Sequence, residues 1–261
     1  MKNIFLTTLS FLLILSSCTK KIDLDLKEDE HRTVINSRLY LGTNDFKVNV
    51  TKSGNYFGKG SITNVTNAVI TLHDGTVSHS LTNSGQGNYT LSSFTAVANQ
   101  EYKLTITENG KIHEAKAIMP QVVPLDSIIF EYQPAFGPRP AGYLAYTDGQ
   151  DPANIKNYYK IEFKVNGEVT ESERSNFIIL QDDWVDGNRL IFPVINGLDK
   201  FDTLQMDLMS IDKGTYNYYN QLSLAIDGDG AAPTNPDNNF GKDVLGNFSV
   251  MAVSSRTGVA K

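Results

Sequence analysis

Four histidines, His31, His73, His79 and His113, are the side chains here best suited to bind a metal or move a proton near neutral pH. His73 and His79 flank Asp74-Gly75 and could face each other across a hairpin, with His113 on another strand. Zinc needs three or four converging ligands, and the spacing brings neither a carboxylate nor the third histidine to that pair. Exposed strand histidines are the expected reading. The acidic run Asp227-Gly228-Asp229-Gly230, with Asp237 and Asn238 downstream, offers oxygen donors of the calcium-loop kind. It lacks the D-x-D-x-D-G spacing and the closing glutamate of an EF-hand, so a structural turn is expected. The stretch QDDWVDG, Gln181 to Gly187, holds the only tryptophan, Trp184. An indole there could stack on a sugar ring; the expected role is a cap on a sheet edge, because tryptophan is usually substantially buried. No G-x-S-x-G, H-E-x-x-H or phosphate loop occurs, so a conventional hydrolase or nucleotide enzyme is not expected, nor a cofactor.

Cys18 is the one thiol of the chain and stands where an apolar run ends and a charged segment begins. Lys2, the apolar stretch Ile4 to Leu15 and the small residues Ser16 and Ser17 give residues 1–17 a secretory signal layout. Twelve helical residues reach roughly 18 Å, short of the roughly 30 Å of hydrocarbon a spanning helix must cross. Leu15-Ser16-Ser17-Cys18 resembles the bacterial lipobox, in which the thiol is lipidated and the preceding peptide is removed. Lipidation gives that thiol a role that a disulfide cannot, and several acyl chains hold a protein stably on a membrane. Residues 18–32, rich in Asp and Glu, then read as a solvated tether.

These side chains need a scaffold, and from Val34 onward the hydrophobic period is two. Phe46, Val48 and Val50 alternate with polar residues, as do Tyr102, Leu104 and Ile106. Asn109-Gly110 and Asn166-Gly167 are pairs that favour type I′ hairpins, and Asp74-Gly75 is expected to turn the same way. The pattern predicts a mostly β protein: an immunoglobulin- or transthyretin-like sandwich over residues 33–120, then a second β-rich domain over 121–261. Two prolines within Met119 to Pro124 mark the boundary as a stiff connector. Strands are predicted at Ser127–Tyr132, Tyr143–Thr147, Tyr158–Val165, Phe177–Leu180, Leu190–Phe192, Leu204–Ile211 and Phe248–Val253. Alternation is lost over Asp212 to Ile226, where Tyr216, Tyr219, Ser223 and Ile226 share a helical face; Asp212 is the predicted N-cap and Gly228 the stop. With 29 acidic against 23 basic residues and no basic cluster, a nucleic-acid surface is excluded.

Taken in order, the lipobox with KIDLDL, then TVINSRLYLG, TKSGNYF, AVITLHDG, GNYTL, EYKLTITENGKIHEAKAIMP, PLDSIIF, DPANIKNYYKIEF, MSIDKGTYNYYNQL and APTNPDNNFGKDVLGNFSV resemble a Bacteroidota lipoprotein family catalogued as domain of unknown function 4249. The resemblance implies an outer-membrane lipoprotein with an accessory role beside a SusC-like TonB-dependent transporter in nutrient uptake; a structural or adhesive surface role is the alternative. It carries no catalytic residues over. Surface-exported lipoproteins of that phylum tend to have acids directly after the cysteine, whereas here Lys20 and Lys21 precede Asp23. Ser127 and Thr203 sit in Asp-Ser/Thr-aliphatic triplets resembling an O-glycosylation pattern of exported proteins of that phylum. Partner contact is expected in the second domain, at Tyr143, Tyr146, Trp184, Asp227 and Asp229, because loops and aromatics on a rigid β scaffold are where recognition is usually placed.

Overall fold

The computed structural model describes residues 31–54, 62–169, 176–228 and 235–261. The expected signal peptide 1–17, Cys18, the tether as far as residue 30, and Asp229 lie outside the described residues. Among the described residues the strands are, in chain order, β1 (Thr33–Tyr40), β2 (Asp45–Lys52), β3 (Thr63–Asn64), β4 (Val69–His73), β5 (Ser78–Ser80), β6 (Thr82–Gly85), β7 (Asn88–Ser92), β8 (Glu101–Glu108) and β9 (Lys111–Ile118). They continue with β10 (Leu125–Gln133), β11 (Gly142–Gly149), β12 (Tyr158–Val165), β13 (Glu168–Val169), β14 (Phe177–Gln181), β15 (Pro193–Leu198), β16 (Thr203–Ile211) and β17 (Val244–Val259). The helix α1 (Lys213–Asp227) stands between the last two. The protein is mostly β, as the alternation requires: Tyr102, Leu104 and Ile106 of β8 all point inward and are fully buried.

Local chemistry sets the turns and the helix ends. Asn109 and Gly110 have φ of 48° and 78°, and Asn166 and Gly167 have 53° and 86°, as type I′ hairpins demand. Asp74-Gly75 turns differently. Only Gly75 is left-handed, at φ 90°, and the Asp74 carboxylate accepts from the N–H groups of Thr76 and Val77, closing a longer side-chain-capped loop. Asp212 caps α1 by accepting from Thr215 N at 2.9 Å, and Gly228 ends it at φ 74°. The strand predicted at Leu190–Phe192 falls instead at β15, a few residues on. The Thr147 hydroxyl donates to Leu190 O and accepts from Phe192 N, alongside backbone bonds from Thr147 N to Phe192 O and from Leu190 N to Gly149 O, so this stretch pairs with β11 irregularly before β15 begins.

The sheets do not divide where the prolines suggest. One ten-stranded sheet runs β13-β12-β16-β17-β1-β2-β7-β6, with β14 also on β12 and β3 on β2. Its link is β17, whose first half, Val244 to Met251, pairs in parallel with β1, and whose second half, Met251 to Val259, pairs antiparallel with β16. The connector is pinned to this sheet: Val123 N donates to Ser210 Oγ and Leu125 N to Ser254 Oγ, with Val123 buried. Residues His31 to Lys261 accordingly form one compact unit. Its hydrophobic interior is still parted near the expected boundary. One core, sandwich-like, lies between β1, β2, β7 and the four-stranded sheet β5-β4-β8-β9, and takes Val244, Phe248 and Val250 from β17. A second packs the three-stranded sheet β10-β11-β15 on β12 and β16. A third sets α1, through Tyr216, Tyr218, Tyr219 and Leu222, on Phe177, Met209, Ile211 and Met251.

Candidate functional site

Two loops meet beside β12 and fix the tryptophan. Asp182 opens a single 3-10 turn, Asp182–Trp184, and is 2% exposed. Its carboxylate accepts from Asn157 N and from the Lys156 ammonium, both at 2.6 Å. Asp151, 1% exposed, accepts from Gly187 N and from the Tyr159 hydroxyl, and Asp186 accepts from Asn154 N. Asp151, Asp182 and Asp186 each bring one oxygen within 4.8 Å of the others, a donor set that suits a hard divalent cation. In this geometry Lys156 supplies the positive charge, bonded to both Asp182 and Asp183, and those carboxylates hold its ammonium well above the ordinary lysine range. Burial first, and then the hydrogen bond to Asp151, pushes the Tyr159 phenol far up, so it stays a donor. The cluster is a clasp between loops 150–157 and 181–189. Asp182→Ala strands Asn157 N and frees Lys156, and is expected to lower the unfolding free energy by about 2 kcal/mol in urea denaturation.

Trp184 does not cap a sheet edge: it is 93% exposed. On a turn of three residues per revolution, Asp182 takes the inward position for its hydrogen bonds, and the residue two further on is carried to the outside.

The remaining sequence-selected residues are scattered. Tyr143 packs on the second core with its ring 5.4 Å from Tyr132, whereas the Tyr146 hydroxyl donates to Glu131, on the opposite face of β11. Asp227 lies on the last turn of α1 and accepts from the Ser223 hydroxyl. Ser127 donates to Asp148 from the exposed face of β10, and Thr203 begins β16 half-buried. His73 and His79 do not converge, since His79 pairs opposite buried Leu72 in the β4–β5 register. A carboxylate does reach His79, from Asp74 itself at 2.7 Å; that bond, with the N–H groups of Val77 and Thr76, holds the Asp74 carboxyl well below its usual range. His113 is not an exposed strand histidine but 8% exposed, on the inward row of β9 with Ala115 and Ala117, and burial lowers its pKa.

A feature that periodicity does not announce lies under α1. Lys160 occupies an inward position of β12, 1% exposed, with its ammonium paired to Glu162 and lying 4.9 Å and 4.5 Å from the ring centroids of Phe177 and Tyr219. Burial lowers the Lys160 pKa, Glu162 opposes that, and Arg38 adds to it. Burial likewise pushes the Tyr219 phenol up to about 12. On either side of this cage the helix leaves a cleft. One, of about 330 Å³, lies over β1 and β17; the other, of about 290 Å³, lies over β12; Arg38, Tyr219 and Leu222 border both.

The fold and these sites define a mostly β, sandwich-like protein whose chemistry-bearing groups line a helix–sheet cleft and a loop clasp. The chain belongs to the family described as domain of unknown function DUF4249, whose model matches residues 19–257. No curated protein matches it.

Proposed function

We propose that this protein is a non-enzymatic binding or accessory lipoprotein of the outer membrane, exposed at the cell surface and working beside a SusC-like TonB-dependent transporter in nutrient uptake. Cys18 carries the anchor, and the Trp184 turn contacts the partner. The observation that carries the reading is the exposure of Trp184, at 93%, above a base fixed by the buried carboxylates of Asp182 and Asp151. Single exposed apolar side chains are ordinary. An indole carried outward on a fixed backbone turn is more telling, because its ring offers large contact area and only two side-chain torsions have to be ordered on binding.

Two variants of the full chain test this. Cys18→Ala is expected to move the protein from the membrane to the soluble fraction, and mass spectrometry of the wild-type protein should find Cys18 acylated. An unmodified thiol at that position in the mature protein overturns the anchor. Trp184→Ala is expected to leave the thermal midpoint within about 2 °C of wild type, since the side chain packs on little. The same change should reduce co-purification with the transporter at least tenfold. Recovery of the transporter at the wild-type level would remove Trp184 from the interface.

A further inference from the structure

We propose that the cleft between α1 and strands β1 and β17 binds a small organic carboxylate with a hydroxylated body, its carboxylate paired with Arg38 and its body held between the Asn36–Ser249 floor and the Tyr218 ring. This site is separate from the Trp184 surface and does not depend on the role proposed for it.

The first observation is a change in the character of the sheet face. Under α1 the covered row of the sheet is mostly apolar, with Met209, Ile211 and Met251 buried against the helix beside Lys160. One rung further along β17 the same face turns polar. Ser249 stands opposite Arg38 and Asn247 opposite Asn36 in the β1–β17 register, and both β17 residues are nearly fully buried. Asn247 donates to Ser249 Oγ and accepts from Asn239 N, so the floor is fixed in place by its own hydrogen bonds. A sheet face that simply supported the helix would continue with apolar residues there. The wall opposite is aromatic and aliphatic: Tyr218, Tyr219 and Leu222 border the 330 Å³ space, which is within the size range of small-molecule sites.

The second observation is charge. Arg38 lies directly opposite Lys47 in the β1–β2 register, a like-charged cross-strand pair that costs stability unless something offsets it. Glu162, whose charge acts on Arg38, is paired with Lys160, and among the described residues no ion pair forms at Arg38 or Lys47. Burial disfavours the Arg38 charge, yet Tyr219, Tyr40 and Glu162 hold the guanidinium above its ordinary value. Arg38 and Lys47 are therefore two neighbouring positive charges that form no ion pair among the described residues, and Arg38 lines the cleft. A carboxylate is the anion that fits, because the planar guanidinium meets it through two parallel N–H bonds. Amide and hydroxyl groups on the floor then suit hydroxyls, and an aromatic wall suits the C–H face of a ring.

Isothermal titration of the full chain in detergent with D-glucuronate tests the site, with D-glucose and inorganic phosphate as comparators. Saturable glucuronate binding at least tenfold tighter than either comparator is expected. Arg38→Gln should weaken it at least tenfold and Arg38→Lys by less. Asn36→Leu, which keeps every charge and fills the floor, should abolish it, and each variant should keep the wild-type thermal midpoint within a few degrees. Equal affinity for glucose, tighter binding of phosphate, indifference to Arg38→Gln and Asn36→Leu, or no glucuronate binding would each overturn the proposal.

Discussion

Replacing Gly246 with alanine should destabilise the protein by about 4 kcal/mol or more, among the largest effects of any single methyl group added to it. Gly246 has φ 89°, a left-handed conformation that an alanine adopts only with strain. A Cβ at this position would lie 2.0 Å from the carbonyl oxygen of Ile35 and 2.8 Å from its carbon, and both atoms belong to the backbone of the paired strand β1. No rotamer change relieves that; β1 must move off β17. The movement cannot stay local, because the same half of β17 sends Phe248 and Val250, both fully buried, into the first core. Gly42→Ala is the control. Gly42 has φ 73° and nothing within 4 Å of its added Cβ, so only the backbone strain applies and about 1 kcal/mol is expected. Urea denaturation of both variants separates the two contributions, and a Gly246→Ala protein no weaker than Gly42→Ala would refute the close strand approach.

The second large effect concerns Glu162 and Lys160, and it should be asymmetric. Glu162→Gln removes the carboxylate that neutralises a lysine only 1% exposed, leaving a buried ammonium against aromatic rings alone. Breaking a buried pair from one side costs roughly 3–5 kcal/mol, and because Glu162 is 35% exposed some water reaches the site, so about 2 kcal/mol is expected. Lys160→Met should be close to neutral, since methionine fills a similar volume beside Phe177 and Tyr219 and Glu162 can turn to solvent. The double variant should recover most of the loss. The pH dependence follows from the direction of the lysine shift. Its folded pKa lies below the unfolded value of about 10.4, so between the two the unfolded chain binds more protons and stability rises with pH. That rise should be steeper in Glu162→Gln and absent in Lys160→Met. A Glu162→Gln protein as stable as wild type at neutral pH would mean that the pair contributes nothing.

The candidate sites were partly legible in the chain. QDDWVDG is legible as the setting of the only tryptophan, but the burial expected of that side chain is reversed by the clasp: Asp182 needs the inward position to reach Asn157 N and Lys156, residues some 25 positions earlier. The acidic run at Asp227 reads as a structural turn with oxygen donors; among the described residues the carboxylates that converge are Asp151, Asp182 and Asp186, drawn from two separate segments. The burial of Lys160 is not legible in the chain, because a lysine within YYKIEF reads as the polar half of an alternating strand. The like-charged pair of Arg38 and Lys47 becomes visible only once β1 and β2 have a register.

By itself the sequence determined what short-range chemistry can determine. The period of two made strands, Asn-Gly pairs made type I′ hairpins, and Asp212 and Gly228 bounded a helix over Lys213–Asp227, because each of these preferences acts within a few residues. Tertiary structure decided which strands became neighbours. The parallel pairing of β1 with β17 joins residues 33–40 to residues 244–251, and a connector with two prolines that reads as a domain boundary is tied down by Ser210 and Ser254. Such contacts leave no local trace. They form because Phe248 and Val250 of β17 complete the first core while Met251 and Val253 of the same strand join the core under α1, so one strand serves both, and the burial of apolar surface outweighs the cost of closing so long a loop.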